Sequence, residues 1–257
     1  MSKEKTYKAT ALLSNAYAEQ IPGQSEIVSN WLIHKIKHSF CVAHDIMDIF
    51  FAEQGLFNSF TESKRELVEV AGILHDLGRF YQHRDGRILE NSEFHHGREA
   101  VKLLRDNPDF NNPILLFAIE EHNNFAVNYN NPLFTHLSTH DKHIAEATAQ
   151  LLRDADKLEN IKDFTYNGMA HFHDVIKGPL SKEAYKYILE KQTLSRSVIK
   201  TTPDRILCGL SWVNDIYFEA TRKQIRAIKY LEYGIEAMRE FGATEEDCKF
   251  VRDNLTV

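Results

Sequence analysis

Five polar side chains fall where helical spacing turns them inward. His38 is seven residues from Trp31 and four from Val42; His75 follows Val68, Ala71 and Gly72; His96 precedes Ala100 and Leu103; His122 follows Leu115 and Ala118; Asp156 follows Ala149 and Leu152. Residues three, four and seven apart share one face of a helix, so each of these groups belongs to an apolar stripe and not to a wet face. An uncompensated buried polar group costs roughly 1–3 kcal/mol, and an unpaired carboxylate far more. Several such groups on several helices are tolerable if they satisfy one another, and a bound cation does this well. Neutral imidazole supplies a lone pair, and aspartate supplies charge. The sharpest local string is AGILHDLGR at 71–79. Its adjacent His75 and Asp76, at the end of an apolar helix, can place both side chains on one ion.

With HSFCVA at 38–43 upstream and DADKL at 154–158 downstream, the order becomes His, His-Asp, Asp. This pattern resembles the HD superfamily of metal-dependent phosphohydrolases, over about residues 34–160. The resemblance implies that His38, His75, Asp76 and Asp156 are metal ligands. Asp154 is the rival for the last place, and the Ala-Asp-x-Leu context favours Asp156. The string HGREAVKLL at 96–104 is similar to the surroundings of an additional ligand histidine in multi-metal members, with His95 competing with His96 for that role. The string IEEHN at 119–123 resembles a second such position, where relatives often carry paired histidines; here Asn123 follows His122. Four histidines and two aspartates suit two divalent ions with Asp76 as a bridge. The alternative is a single ion, with His96 and His122 around it or against substrate. Mixed imidazole and carboxylate donors suit Mn, Fe, Co, Ni, Zn or Mg, and no cysteine joins them.

The resemblance also implies a reaction. In the family a metal-bound water attacks phosphorus: the metal lowers the pKa of the water, and cations stabilise charge developing on phosphoryl oxygens. Asp76 is then a ligand that orients the water. Arg79 stands where a basic residue in some relatives contacts substrate phosphate, and is assigned to catalysis and substrate binding. His83 in the arginine-rich loop, Asn123, and Lys157 beside the last ligand are assigned to substrate binding; a solvated helix-end charge is the competing reading of Lys157. His34, one turn before His38, reads as a packed neighbour. His44, His136, His140, His143, His171 and His173 read as surface or loop residues.

These side chains need helices to hold them. Apolar residues recur at three- and four-residue spacing from Glu26 to Phe51, and in segments near 62–77, 93–104, 114–122, 140–158, 182–192, 205–218 and 221–241. Thr244, before two glutamates and an aspartate, predicts the N-cap of a last helix. No segment alternates with period two, so no substantial sheet is expected. The loop at 79–92 contains the turn pair Asp85-Gly86, and the loop at 123–138 contains five asparagines. The expectation is one all-α domain: an HD-like helical bundle at about 24–173 with a C-terminal helical extension at about 174–257.

Composition agrees with a globular chain. The 257 residues are 43% hydrophobic and 26% charged, with a net charge of −6. All 13 histidines lie between His34 and His173. Residues 177–229 hold eleven Lys and Arg against five acids, which leaves −12 for the remainder. That segment reads as a solvated helical face, or as a cationic arm for a second phosphate or a nucleotide. Cys41, Cys208 and Cys248 are widely spaced, so neither a disulfide framework nor a thiolate zinc knuckle is expected. The N-terminus lacks the apolar run of a signal peptide, and no membrane span is expected. A cytoplasmic location is the reading.

The leading functional expectation is a metal-dependent phosphohydrolase for a small phosphorylated metabolite, a nucleotide, with a homo-oligomer compatible with it. The alternatives are a phosphodiesterase for a cyclic or linear dinucleotide and a non-catalytic nucleotide-binding HD module. The Gly-Tyr-Pro element of the cyclic-di-GMP branch is absent after His122, which disfavours that branch. A nucleic-acid-binding role for 177–229 is disfavoured by the acidic remainder.

Overall fold

A computed structural model describes residues 3–89, 94–167 and 175–257. His171, His173 and Glu93, the start of one expected helix, lie outside the described residues. The chain divides into two compact units, Met1–Asp156 and Lys157–Val257.

The first unit is built on α1 (Glu4–Gln20), α2 (Glu26–Ala52), α3 (Glu62–Leu74), α4 (His96–Arg105), α5 (Pro113–Glu121), α6 (Pro132–Thr135) and the first part of α7 (Thr139–Asn167). Each start has a local cause. Ser25 caps α2 by accepting from the Val28 N–H, and Asn112 caps α5 by accepting from the Ile114 and Leu115 N–H groups with Pro113 in the first turn. Leu32, Val42, Ile46, Ile49 and Phe50 bury the inner face of α2, which packs on α3. Gly72 permits that approach: a Cβ there would stand 2.7 Å from the Ala43 Cα. Ile27 breaks the expected stripe and is exposed. The helix expected at 62–77 ends at Leu74, and the chain tightens into a 3₁₀ turn over Leu77–Tyr81.

Among the described residues the only sheet is a two-stranded hairpin, β1 (His83–Arg84) with β2 (Arg87–Ile88). Asp85 and Gly86 both take positive φ, 52° and 75°. This is the twist a two-residue hairpin turn needs and Asp-Gly supplies.

The second unit contains α8 (Lys182–Leu189), α9 (Thr202–Leu210), α10 (Glu219–Ala227), α11 (Tyr230–Glu240) and α12 (Glu245–Asn254). Thr244 and Asp247 form the expected capping box. The helix expected over 221–241 is two helices, because Lys229 adopts the left-handed region at φ 54° and Tyr230 turns into the core. Similarly, α9 gives way to a 3₁₀ turn after Leu210. Helix α1, absent from the periodicity reading, packs on α3 through Ala9, Leu13 and Ala16. All three cysteines are free, and no helix among the described residues is long and apolar enough to cross a membrane.

Candidate metal centre

Five elements of the first unit deliver six groups to one place. His38 comes from the middle of α2, His75 and Asp76 from the end of α3, His96 from the first turn of α4, and His122 from the residue that closes α5. Asp156 comes from α7. All four histidines and Asp76 are buried.

Asp76 sits at the centre. Its Oδ2 is 3.7 Å from the Nε2 atoms of both His38 and His75. Its Oδ1 is 3.3 Å from His96 Nε2 and 3.8 Å from His122 Nε2. The two carboxylate oxygens thus face two different histidine pairs. On the Oδ2 side, His38 and His75 meet Nε2 to Nε2 at 3.3 Å, and Asp156 Oδ1 stands 3.0 Å from His38 Nε2. On the Oδ1 side, His96 and His122 meet Nε2 to Nε2 at 3.1 Å.

The tautomers follow from the outer nitrogens. His75 Nδ1–H donates to the Gly72 carbonyl at 2.8 Å, and His122 Nδ1–H donates to the Ile119 carbonyl at 2.6 Å. Each ring therefore turns the lone pair of Nε2 inward, toward another nitrogen and a carboxylate. The inward Nε2 lone pairs of His75 and His122 must each meet a donor or a cation. His38, His75 and Asp156 form one group of donor atoms close enough to share an ion, and His75, Asp76 and His122 form another. The residues present fit one or two divalent cations.

Burial holds the site ready. It pushes His75 down to about 4 and also lowers His96, which favours the neutral, ligating imidazole. Burial alone would raise Asp76, but the Lys35 ammonium, with His75 and the Arg79 guanidinium, outweighs it and holds the carboxyl well below the usual range. Burial opposes ionisation of Asp156 too, and the hydrogen bond with His38, together with the charge interactions of His38, His75 and His122, outweighs it.

The rival residues separate cleanly. His95 is the N-cap of α4: its Nδ1 accepts from the Arg98 N–H at 3.2 Å, and its Nε2 lies 3.2 Å from Asn124 Oδ1. His96, not His95, faces Asp76. Asp156, not Asp154, faces His38. His34 stacks on His38 with ring centroids 6.2 Å apart, the packed-neighbour role its spacing predicts.

The residues assigned to substrate are more dispersed. Arg79 donates from Nε to Asp76 Oδ1 at 3.3 Å and from Nη1 to Gln82 Oε1 at 2.6 Å. The Asn123 amide lies 3.3 Å from His96 Nδ1, where it orients that ring. His83 sits in the hairpin, and its Nε2 is buried without a hydrogen-bond partner among the described residues. Lys157, in the second unit, is ion-paired with Asp215 Oδ2 at 2.7 Å and donates to the Asp215 carbonyl.

Three supporting residues escape the sequence reading. Lys35 lies 3.2 Å from Asp76 Oδ2, three residues before His38 on the same helix. Arg153 donates to the carbonyls of Glu121, His122, Asn124 and Phe125, and so clamps the end of α5. The buried Glu121 carboxylate accepts from Asn124 Nδ2, the Asn128 N–H and Asn131 Nδ2, and so ties down the asparagine-rich loop. Elsewhere on α2, His44, Asp45 and Asp48 form a third, largely exposed group.

The comparisons with known proteins agree with this geometry. Residues 36–161 match the model of the HD domain. No curated protein and no solved structure gives a match. HD domains bind divalent metals and are generally metal-dependent hydrolases. The matched segment contains all six converging groups, and residues 36–161 of the chain are an HD domain.

Proposed function

We propose that this protein is a metal-dependent phosphohydrolase that cleaves a phosphate ester of a small metabolite, a nucleotide. One observation carries the reading: Asp76 offers one oxygen to His38 and His75 and the other to His96 and His122. A carboxylate between two pairs of imidazole nitrogens is a donor arrangement that suits a two-ion phosphohydrolase.

A divalent ion held there lowers the pKa of a water and offsets charge on phosphoryl oxygens. The protein's own groups do the rest. Gly72 and Ile119 carbonyls fix the tautomers of His75 and His122, and Asn123 sets the ring of His96. Asp156 Oδ1 lies 3.0 Å from His38 Nε2, so the two would hold the same ion. Arg79, held on Asp76 and Gln82, brings a guanidinium to the edge of the site. His83, in the hairpin, is assigned to the outer part of the substrate.

The test is metal analysis of the purified protein, followed by a phosphate-release screen over nucleotides with Mn, Co, Ni and Mg. Metal content and phosphate release should both collapse in His75→Ala and Asp76→Ala. Full metal content and activity in those variants would overturn the reading.

A further inference from the structure

We propose that Lys35 binds substrate phosphate and selects the dianionic terminal phosphate of a monoester over the monoanionic phosphate of a diester. The proposal rests on the phosphohydrolase reading and names the substrate class of that same site.

Lys35 lies one helical turn before His38 on α2, with its side chain only 12% exposed. Its Nζ is 3.2 Å from Asp76 Oδ2, the oxygen that faces His38 and His75. An ammonium has three N–H donors, and among the described residues Asp76 is the one ion-pair partner of Lys35. Two donors therefore remain beside the oxygen where an ion is to sit. As a counterion for Asp76, Lys35 is not alone: Arg79 also reaches the same carboxylate, through Oδ1.

A lysine at this position works against a bare cation site. It competes with the metal for Asp76 Oδ2 and repels the metal in surroundings that screen poorly. The arrangement becomes favourable when an anion shares the site with both. A phosphomonoester carries roughly −1.5 to −2 near neutral pH, because its second pKa is about 6. A diester carries one negative charge and has fewer free oxygens. A divalent ion and a fixed ammonium side by side complement the first better than the second.

The test uses the full chain loaded with Mn, comparing wild type with Lys35→Met and Lys35→Arg. Manganese content is measured, inorganic phosphate is titrated by calorimetry, and kcat/KM is compared for a nucleoside monophosphate and its methyl diester. In Lys35→Met, phosphate affinity and the monoester-to-diester ratio of kcat/KM should each fall about tenfold or more, with manganese content unchanged. Lys35→Arg should restore much of both. Unchanged phosphate affinity, equal loss for both ester classes, or loss of manganese in Lys35→Met would overturn the proposal, the last by making Lys35 a support for Asp76. If wild type hydrolyses neither ester, the phosphohydrolase reading fails. The calorimetric arm then still decides whether Lys35 holds phosphate.

Discussion

Arg153 donates from Nη1 to the backbone oxygen of His122 at 3.3 Å. The same guanidinium reaches the carbonyls of Glu121, Asn124 and Phe125, so one buried side chain of α7 closes the C-terminal end of α5. The helix has stopped there, so Arg153 supplies donors that a further turn would have supplied; the Glu121 carbonyl also accepts from the Asn124 N–H at 3.3 Å. Arg153→Met keeps the stem and removes the donors. Unpaired buried carbonyls cost about 1–3 kcal/mol each, so a loss of about 3 kcal/mol or more is expected in urea denaturation, together with weaker metal binding. A loss below about 0.5 kcal/mol would show that the clamp is not structural.

His95 and His96 make a matched pair for separating capping from ligation. His95→Ala removes an N-cap, which costs about 1 kcal/mol, and should leave metal content intact. His96→Ala removes a group that faces Asp76 and should lower metal stoichiometry. Mass spectrometry of the bound metal distinguishes the two, and equal effects would contradict the assignment.

Gly78 lies under α4. A Cβ there would stand 2.1 Å from the His96 carbonyl oxygen and 2.9 Å from the Ala100 nitrogen, both backbone atoms that cannot swing aside. Gly78→Ala should therefore destabilise the fold by about 1–3 kcal/mol and displace His96 from Asp76. Gly55→Ala, where nothing lies within 4 Å of the added carbon, should be close to neutral. Thermal melts and metal titration of the two variants provide the comparison.

Burial lowers His75 to about 4 from an ordinary 6.5. Between those values the unfolded chain holds a proton that the folded chain does not, so stability rises with pH across this window. In chelator-treated protein, stability should fall as pH drops from 6.5 toward 4, by up to roughly 3 kcal/mol from this residue. Asp76 and Asp156 are held low, so their contribution is present above the ordinary carboxylate pKa and is lost only at still lower pH. Urea midpoints at several pH values measure the slope, and His75→Gln should flatten it. A wild-type midpoint independent of pH from 4 to 6.5 would contradict the burial of a neutral His75.

Much of the site was legible because helical periodicity reports burial directly. His38, His75, His96, His122 and Asp156 each sat on an apolar stripe, and a polar group there asks for a partner. The choices between His95 and His96, and between Asp154 and Asp156, rested on flanking residues; the geometry brings His96 and Asp156 to the site. Lys35 was invisible because a lysine on an amphipathic helix usually reads as solvated. Arg153 and Glu121 were invisible because their partners are backbone groups and loop asparagines brought close only by the fold. The break at Lys229 had no glycine or proline to mark it, and α1 buries mostly small residues, which leave little apolar signal.

The central claim is that Asp76 joins two sets of metal donors. Anomalous diffraction from manganese-loaded crystals of the full chain tests it most directly. Two peaks are expected, one between Asp76 Oδ2 and the His38–His75 pair and one between Oδ1 and the His96–His122 pair, roughly 3.5–4 Å apart. Manganese bound only at the exposed His44–Asp48 group, or no peak beside Asp76, would contradict the account.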